Sequence, residues 1–285
     1  MADSSQTQPA SQQGMRVLEL NLAHSSWYWV HREGEPEKMR FWLHKGRLLL
    51  GEEKNCVGVN LADVSAAQWL AQAPEEQRTS IRTAKLATPE ELDWLELLPG
   101  LEALECSGLD DEQLTWICSL GMPLRFLYLS WCDDLSELHP LGAFRDTLVR
   151  LAISDCPTLK ELAGLSSLTK IARMDIINCD NVWELDPISP LKEIRRLVVR
   201  NCENIHTLGP VAVLPKLASL DLSRCKKIKD LTPLAEIETL VSLDLSDCDG
   251  VTSIAPLQEL TGLKELQLFG CDRFRDLRPL HRLPN

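Results

Sequence analysis

The chain has 285 residues, 44% of them hydrophobic, only 5% aromatic and 25% charged. An excess of acidic over basic side chains leaves a net charge of −12, which excludes a general affinity for nucleic acid or anionic membrane. No apolar run approaches the roughly 20 residues needed to cross a bilayer, so membrane insertion is not expected.

Residues 1–14, MADSSQTQPASQQG, are polar and lack the charged-then-apolar layout of a signal peptide; a disordered tail is expected. From Met15 to about Leu61 the texture changes. MRVLELNL, SSWYWVH, MRFWLH and RLLL alternate apolar and polar residues between Gly-, Pro- and Glu-rich turns, which predicts two β-hairpins or a small antiparallel sheet. Trp27, Tyr28, Trp29 and Trp42 concentrate here and suit a cap over the end of whatever follows. VSAAQWLAQAPEEQ then reads as one amphipathic helix with Val64, Trp69 and Leu70 buried, so 15–80 is expected to be a β-rich N-terminal cap plus one helix.

The remainder, 81–285, is periodic. Cys156, Cys179, Cys202, Cys225, Cys248 and Cys271 stand 23 residues apart, and Cys132 precedes them by 24. Each ends a segment such as LVRLAISDC or LASLDLSRC that fits L-x-x-L-x-L-x-x-C, one short strand per repeat. Beyond each cysteine the apolar residues recur every third position, as in Cys225, Ile228, Leu231, Leu234 and Ile237. Neither a strand nor an α-helix has that period, so the chain must coil continuously and drop one apolar side chain into a shared interior at each step.

Most coils carry a proline after their strand, at Pro140, Pro187, Pro210, Pro233, Pro256 and Pro279, which suits the first position of a short helical turn, with Thr232 and Asp186 as caps. One coil has Ala163-Gly164 there instead. TPEELDWLELLPG and DDEQLTWICSLG predict longer, more helical convex segments in the first repeats. Counting back through Leu124, Leu101 and Ile81 gives about nine repeats, with Leu109 in the cysteine slot and Cys106 in a leucine slot.

The cysteine spacing makes seven of the ten cysteines equivalents of one inward-facing slot. Such a column cannot pair off into disulfides without breaking its equivalence, so reduced thiols are expected, each bonding carbonyls of the following loop, in an intracellular, cytoplasmic or nuclear, protein. No C-x-x-C occurs and none of the six histidines recurs with the cysteines, so no metal site is expected. Phosphate-loop, dinucleotide, nucleophile-elbow and zinc-protease motifs are all missing, and Cys56 and Cys118 have no histidine at a telling spacing. No catalytic residue, no cofactor and no enzyme activity are therefore predicted.

The array offers a surface instead. The third, fifth and seventh positions of each strand point away from the core and line a concave face. Phe126 and Tyr128 with the adjacent Trp131 form an aromatic patch; Arg150, Arg173 and Arg196 follow as a basic row, with Ile177, Val198 and Arg200 beside them; Asp221 and Asp244 make an acidic one. These residues are the candidate contacts for a protein partner with an acidic or mixed-charge surface. In the competing structural account, Arg173 and Arg196 pair with Asp175, Arg196 also with Asp221, and Phe126 and Tyr128 merely cover the sheet. Trp183, in a non-core position, is a further oddity. The last coil leaves Leu266, Leu268, Leu277 and Leu280 without a capping segment, so the expectation is either more chain beyond Asn285 or coverage by a partner or twofold mate.

Residues 81–285 resemble cysteine-containing leucine-rich repeats (LRRs), and KDLTPLAEI, WELDPISPL and RDLRPLHRL are similar to the tails of internalin-type repeats. Related units occur in NLR-type receptors, in bacterial LRR proteins and in those of trypanosomatids. The resemblance implies an α/β fold, a right-handed solenoid with a concave parallel sheet and a short 3₁₀ or helical convex side. It implies a non-catalytic scaffold or adaptor; the alternative is the recognition domain of a larger receptor, effector or ubiquitin-ligase assembly.

Overall fold

The computed structural model of the chain describes residues 15–19, 26–30, 39–43, 47–51, 57–61, 68, 70–79 and 81–283, with the strands before Leu61 described through their backbone alone. Strand β1 (Met15–Glu19) pairs antiparallel with β4 (Arg47–Gly51), and β2 (Ser26–Val30) with β3 (Met39–Leu43). The alternating segments thus form two antiparallel pairs, one nested in sequence inside the other. The indoles expected to cap the solenoid, the tail 1–14, Cys56, Val64 and Trp69 lie outside the described residues or side chains.

A parallel sheet of ten strands runs through the rest. It begins with β5 (Val57–Asn60), inside the segment assigned above to the cap, and a register shift at Val57/Gly58 marks its junction with β6 (Ile81–Lys85). The regular rungs follow as β7 (Ala103–Ser107), β8 (Phe126–Ser130), β9 (Arg150–Ser154), β10 (Arg173–Ile177), β11 (Arg196–Arg200), β12 (Ser219–Asp221), β13 (Ser242–Asp244) and β14 (Glu265–Gln267). Each strand pairs with the next in the register that the repeat dictates. The expected helix before β6 is broken at Ala73-Pro74. Leu70 is fully buried on its first part, and a separate turn, Glu75–Thr79, follows the proline, whose ring blocks a continuous helix.

The convex side is built of short 3₁₀ turns, such as Thr232–Glu236 and Ala255–Glu259, most with proline in their first two positions. The segment Pro89–Leu97 is an extended 3₁₀ helix, and Asp111–Ser119 is an α-helix held by a reciprocal capping box between Asp110 and Gln113. Thr232 and Asp186 do not cap their turns, because each already lies inside the turn. The capping position is a buried leucine, and the backbone N–H of Thr232 is taken by Asp230 Oδ1 at 2.8 Å, a role that Asp276 repeats toward Arg278 at 3.0 Å. Gly164 replaces proline for a steric reason: a Cβ there would stand 2.1 Å from the carbonyl carbon of Leu138 in the preceding coil.

The nine described cysteines are buried and free. Their bonds run differently from expectation. Cys225, Cys248 and Cys271 each donate to a strand carbonyl of the preceding coil, at Val199, Leu222 and Leu245, over 2.9–3.1 Å. Cys132, Cys156 and Cys179 donate to carbonyls of their own strands at 3.3–3.4 Å, and the following loop accepts none of these bonds. The thiols of Cys225, Cys248 and Cys271 therefore tie rungs together. Burial raises the Cys106, Cys202, Cys225 and Cys248 thiols, Cys225 to about 12, whereas hydrogen bonding with Cys156 lowers Cys132 and Cys179.

The residue before each slot adopts the left-handed conformation: Gly108, Trp131, Asp155, Asn178, Asn201, Arg224, Asp247 and Gly270 all have φ between 49° and 72°. That kink reverses the chain at the end of each strand. Glycine, asparagine and aspartate are the residues that tolerate it, which explains most of this column. Asp155, Asn178 and Asn201 also bond to one another side by side, at 2.7 and 3.0 Å, as a polar ladder along the sheet's edge.

Candidate binding face

The concave face is assembled by the register. Arg173 stands directly between Arg150 and Arg196 across β9, β10 and β11, and Ser219 and Ser242 continue the same row on β12 and β13. Neighbouring strands lie about 4.8 Å apart, so three arginine positions line up where like charges face one another.

Only the first arginine is neutralised. Arg150 Nη2 donates to Asp175 Oδ2 at 3.0 Å, one rung along and two residues up the strand, and its guanidinium lies 5.2 Å above the centre of the Tyr128 ring. Arg200 pairs with Asp221 along the opposite diagonal, one rung along and two residues down the strand, and adds a bond from Nε to Ser223 Oγ at 3.1 Å. Asp221 also accepts the backbone N–H and hydroxyl of Ser223 at 2.9 and 2.7 Å. Burial alone raises its pKa, but these bonds and Arg200 outweigh it and hold the carboxyl below the ordinary range.

The pairing expected from the columns is thereby corrected. Asp175 is taken by Arg150 and Asp221 by Arg200, and Arg173 and Arg196 form no ion pair or hydrogen bond among the described residues. The reason is geometric: a long side chain reaches a carboxylate two residues up or down the adjacent rung, while the directly opposed positions place like charge beside like. Val198, between Asp175 and Asp221 in the register, is 4% exposed, and Asp221 is 8% exposed. Both are closed off by the face's own ion pairs and offer no contact surface. Asp244 is half-buried and accepts the Ser246 N–H at 2.8 Å; Ile177 is half-buried at the end of β10.

Of the aromatic patch, Phe126 and Tyr128 are half-buried on β8, and burial raises the Tyr128 pKa against the lowering effect of Arg150. Trp131 stands apart: its side chain is 65% exposed and its φ is 54°, a conformation that costs a bulky residue roughly 1–2 kcal/mol. Trp183 is 47% exposed on the loop beyond Cys179, off the concave face. At the far end Phe269 and Leu277 are exposed, at 81% and 54%, while Leu266, Leu268 and Leu280 are partly buried.

Among the described residues, no group of three or more His, Cys, Asp or Glu side chains is placed to hold a metal ion, and no helix is long and apolar enough to cross a membrane. Sequence reasoning missed Ser219 as the next member of the arginine row, which the 23-residue register identifies, and Glu105 as the partner of Lys85, which stands 20 residues away because the first repeat is shorter.

The repeat pattern, the single parallel sheet and the short convex turns define a leucine-rich-repeat fold. TLR13 in its complex with ssRNA13 is similar over 75% of this chain and 33% of its own, at 20% identity and a TM-score of 0.61. The leucine-rich-repeat domain of the type III effector XopL is similar over 68% of this chain and 77% of its own, at 20% identity and a TM-score of 0.51. An internalin from Listeria monocytogenes, InlF, aligns with 69% of this chain at 20% identity and a TM-score of 0.49, and this chain spans 66% of it. No family model and no curated protein matches the sequence.

Proposed function

We propose that the protein is a non-catalytic binding scaffold that captures a protein partner through acidic groups docked on the concave face of β8 to β11. The observation that carries this reading is the pair Arg173 and Arg196, directly opposed in the register and without an ion pair among the described residues, on a chain of net charge −12. Stacked like charges destabilise a sheet. On this surface the neighbouring arginines are matched by Asp175 and Asp221, and these two are not. Exposed Trp131 in a strained backbone position adds an aromatic anchor of the type enriched at interface hot spots. Asp175, Val198 and Asp221 serve as its buried floor. The free, buried thiols support a reducing, cytoplasmic or nuclear, setting.

The test is charge reversal. Arg173→Glu with Arg196→Glu should lower partner recovery in proximity labelling and pull-down by at least roughly tenfold, while Arg173→Ser with Arg196→Ser, which removes the opposed like charges, should leave the melting temperature level or higher. Unchanged recovery of the same partners would remove the concave face from the reading.

A further inference from the structure

Resting on that reading, we infer that Arg173, Arg196 and Ser219 form a receptor for a single phosphoryl group, and that the partner presents a phosphorylated side chain.

The composition of the row points to phosphate over carboxylate. On β9 to β13 the aligned positions are Arg150, Arg173, Arg196, Ser219 and Ser242, and no carboxylate occupies the position until Glu265 on β14, which accepts the Ser242 hydroxyl at 3.0 Å. With Arg150 committed to Asp175 and Ser242 to Glu265, the free members are two guanidinium groups and one hydroxyl, adjacent and all donors. A carboxylate carries a single charge, which one arginine fork neutralises. It would leave the second guanidinium of the stack unmatched. A phosphomonoester brings three acceptor oxygens and a charge of about −1.5 to −2, enough for both forks and the hydroxyl, and it cancels the two uncompensated charges.

The ends of the row limit the site to one such group. Asp175 neutralises Arg150 on one side, Glu265 closes the other, and the chain's net charge of −12 repels an extended polyanion. A phosphorylated peptide is therefore favoured over a nucleic-acid backbone, whose next phosphates would meet no further free arginine in the row.

The experiment measures fluorescence anisotropy of the whole chain with degenerate peptide pools fixed at a central phosphoserine, serine or glutamate, and with a short oligouridylate. The phosphoserine pool should bind at least tenfold more tightly than either other pool and than the RNA. Arg173→Gln with Arg196→Gln should abolish that preference, and Arg173→Lys with Arg196→Lys should reduce it while keeping the charge. Arg224→Gln, a change off the row, should leave it intact. Equal binding of the glutamate and phosphoserine pools would overturn the inference and leave the acidic-partner reading standing. Tighter binding of the oligouridylate, or a phosphoserine preference that survives the glutamine pair, would overturn it as well. Failure of the docking reading itself is recognised separately, by partner recovery that persists after charge reversal.

Discussion

Replacing Gly164 by proline restores the residue that the other coils carry at this place, and a repeat consensus would recommend it. Proline at a compatible site stabilises by about 0.4–1 kcal/mol through the unfolded chain. The geometry here is incompatible. A Cβ on residue 164 would lie 2.1 Å from the Leu138 carbonyl carbon, 2.2 Å from its oxygen and 2.4 Å from the His139 nitrogen, all backbone atoms. Ordinary contact begins at 3.4 Å, so one coil must back away from its neighbour by about 1.3 Å, the difference between 3.4 and 2.1 Å. Overpacking of this kind costs typically 1–3 kcal/mol, more than the entropic gain. The net expectation for Gly164→Pro is a loss of about 1–2 kcal/mol. At roughly 2–4 °C per kcal/mol for a domain of this size, the melting temperature falls by several degrees. Urea and thermal denaturation read the loss, and hydrogen exchange should locate the loosened amides on the turns around Leu138 and Leu165. A variant as stable as the parent, or more stable, would refute the close approach of these two coils. Gly164→Ala, which adds the Cβ without constraining φ, should show most of the same penalty.

Trp131→Gly should raise stability by about 0.5–1 kcal/mol, because the left-handed strain of roughly 1–2 kcal/mol is relieved against glycine's entropic cost of about 0.5–1; a loss on chemical denaturation would show that the exposed indole packs. Cys225→Ala should cost on the order of 1 kcal/mol for one small buried group and its 3.1 Å bond to Val199 O, read by urea titration, with no effect pointing to an exposed slot. Since the folded state holds the Cys225 proton to about pH 12 and the unfolded thiol ionises near 9, this group's contribution is complete below pH 9 and is lost as the pH rises from about 9 to about 12. Native-state alkylation at neutral pH should accordingly spare it. Asp221 has the opposite sign: its lowered folded pKa contributes stability above the ordinary carboxylate value near 3.8 and loses it on further acidification. Asp221→Asn should therefore flatten the acid limb of a stability–pH curve.

The spacing of the cysteines contained the register of β8 to β14, because a repeat that buries its core by stacking must place like residues opposite like. It also contained which positions face outward. The partners of those outward residues were not legible. Arg173 shares β10 and its outward face with Asp175, which suggests a pair, but the arginines of the neighbouring rungs reach the carboxylates diagonally, so Arg150 and Arg200 take the two aspartates. Val198 sits in an outward column and is nonetheless sealed, since burial on a concave surface depends on what long neighbours fold over it. β5 was hidden because Val57–Asn60 is short and irregularly registered against β6, with none of the repeat's leucines to flag it. The thiol acceptors and the Asp230 cap depend on where lone pairs point after the backbone turns, information that apolar periodicity does not carry.

Four of the side-chain bonds linking successive coils join Asn178 to Asp155, Asn201 to Asn178, Lys226 to Glu203 and Lys216 to Glu193, each pair 23 positions apart. A change that inserts or removes one whole coil keeps this arithmetic, and each surviving residue meets an equivalent of its former partner. A single-residue insertion breaks it for every coil it separates unless a turn absorbs the extra residue. The chain contains one such accommodation: the coil between Cys132 and Cys156 is one residue longer, and its turn closes with a wider bond from Leu148 N–H to Phe144 O, leaving the strands on either side in step. Length variation in this architecture is thus quantised in whole coils, with the convex turns as the place where a remainder is taken up.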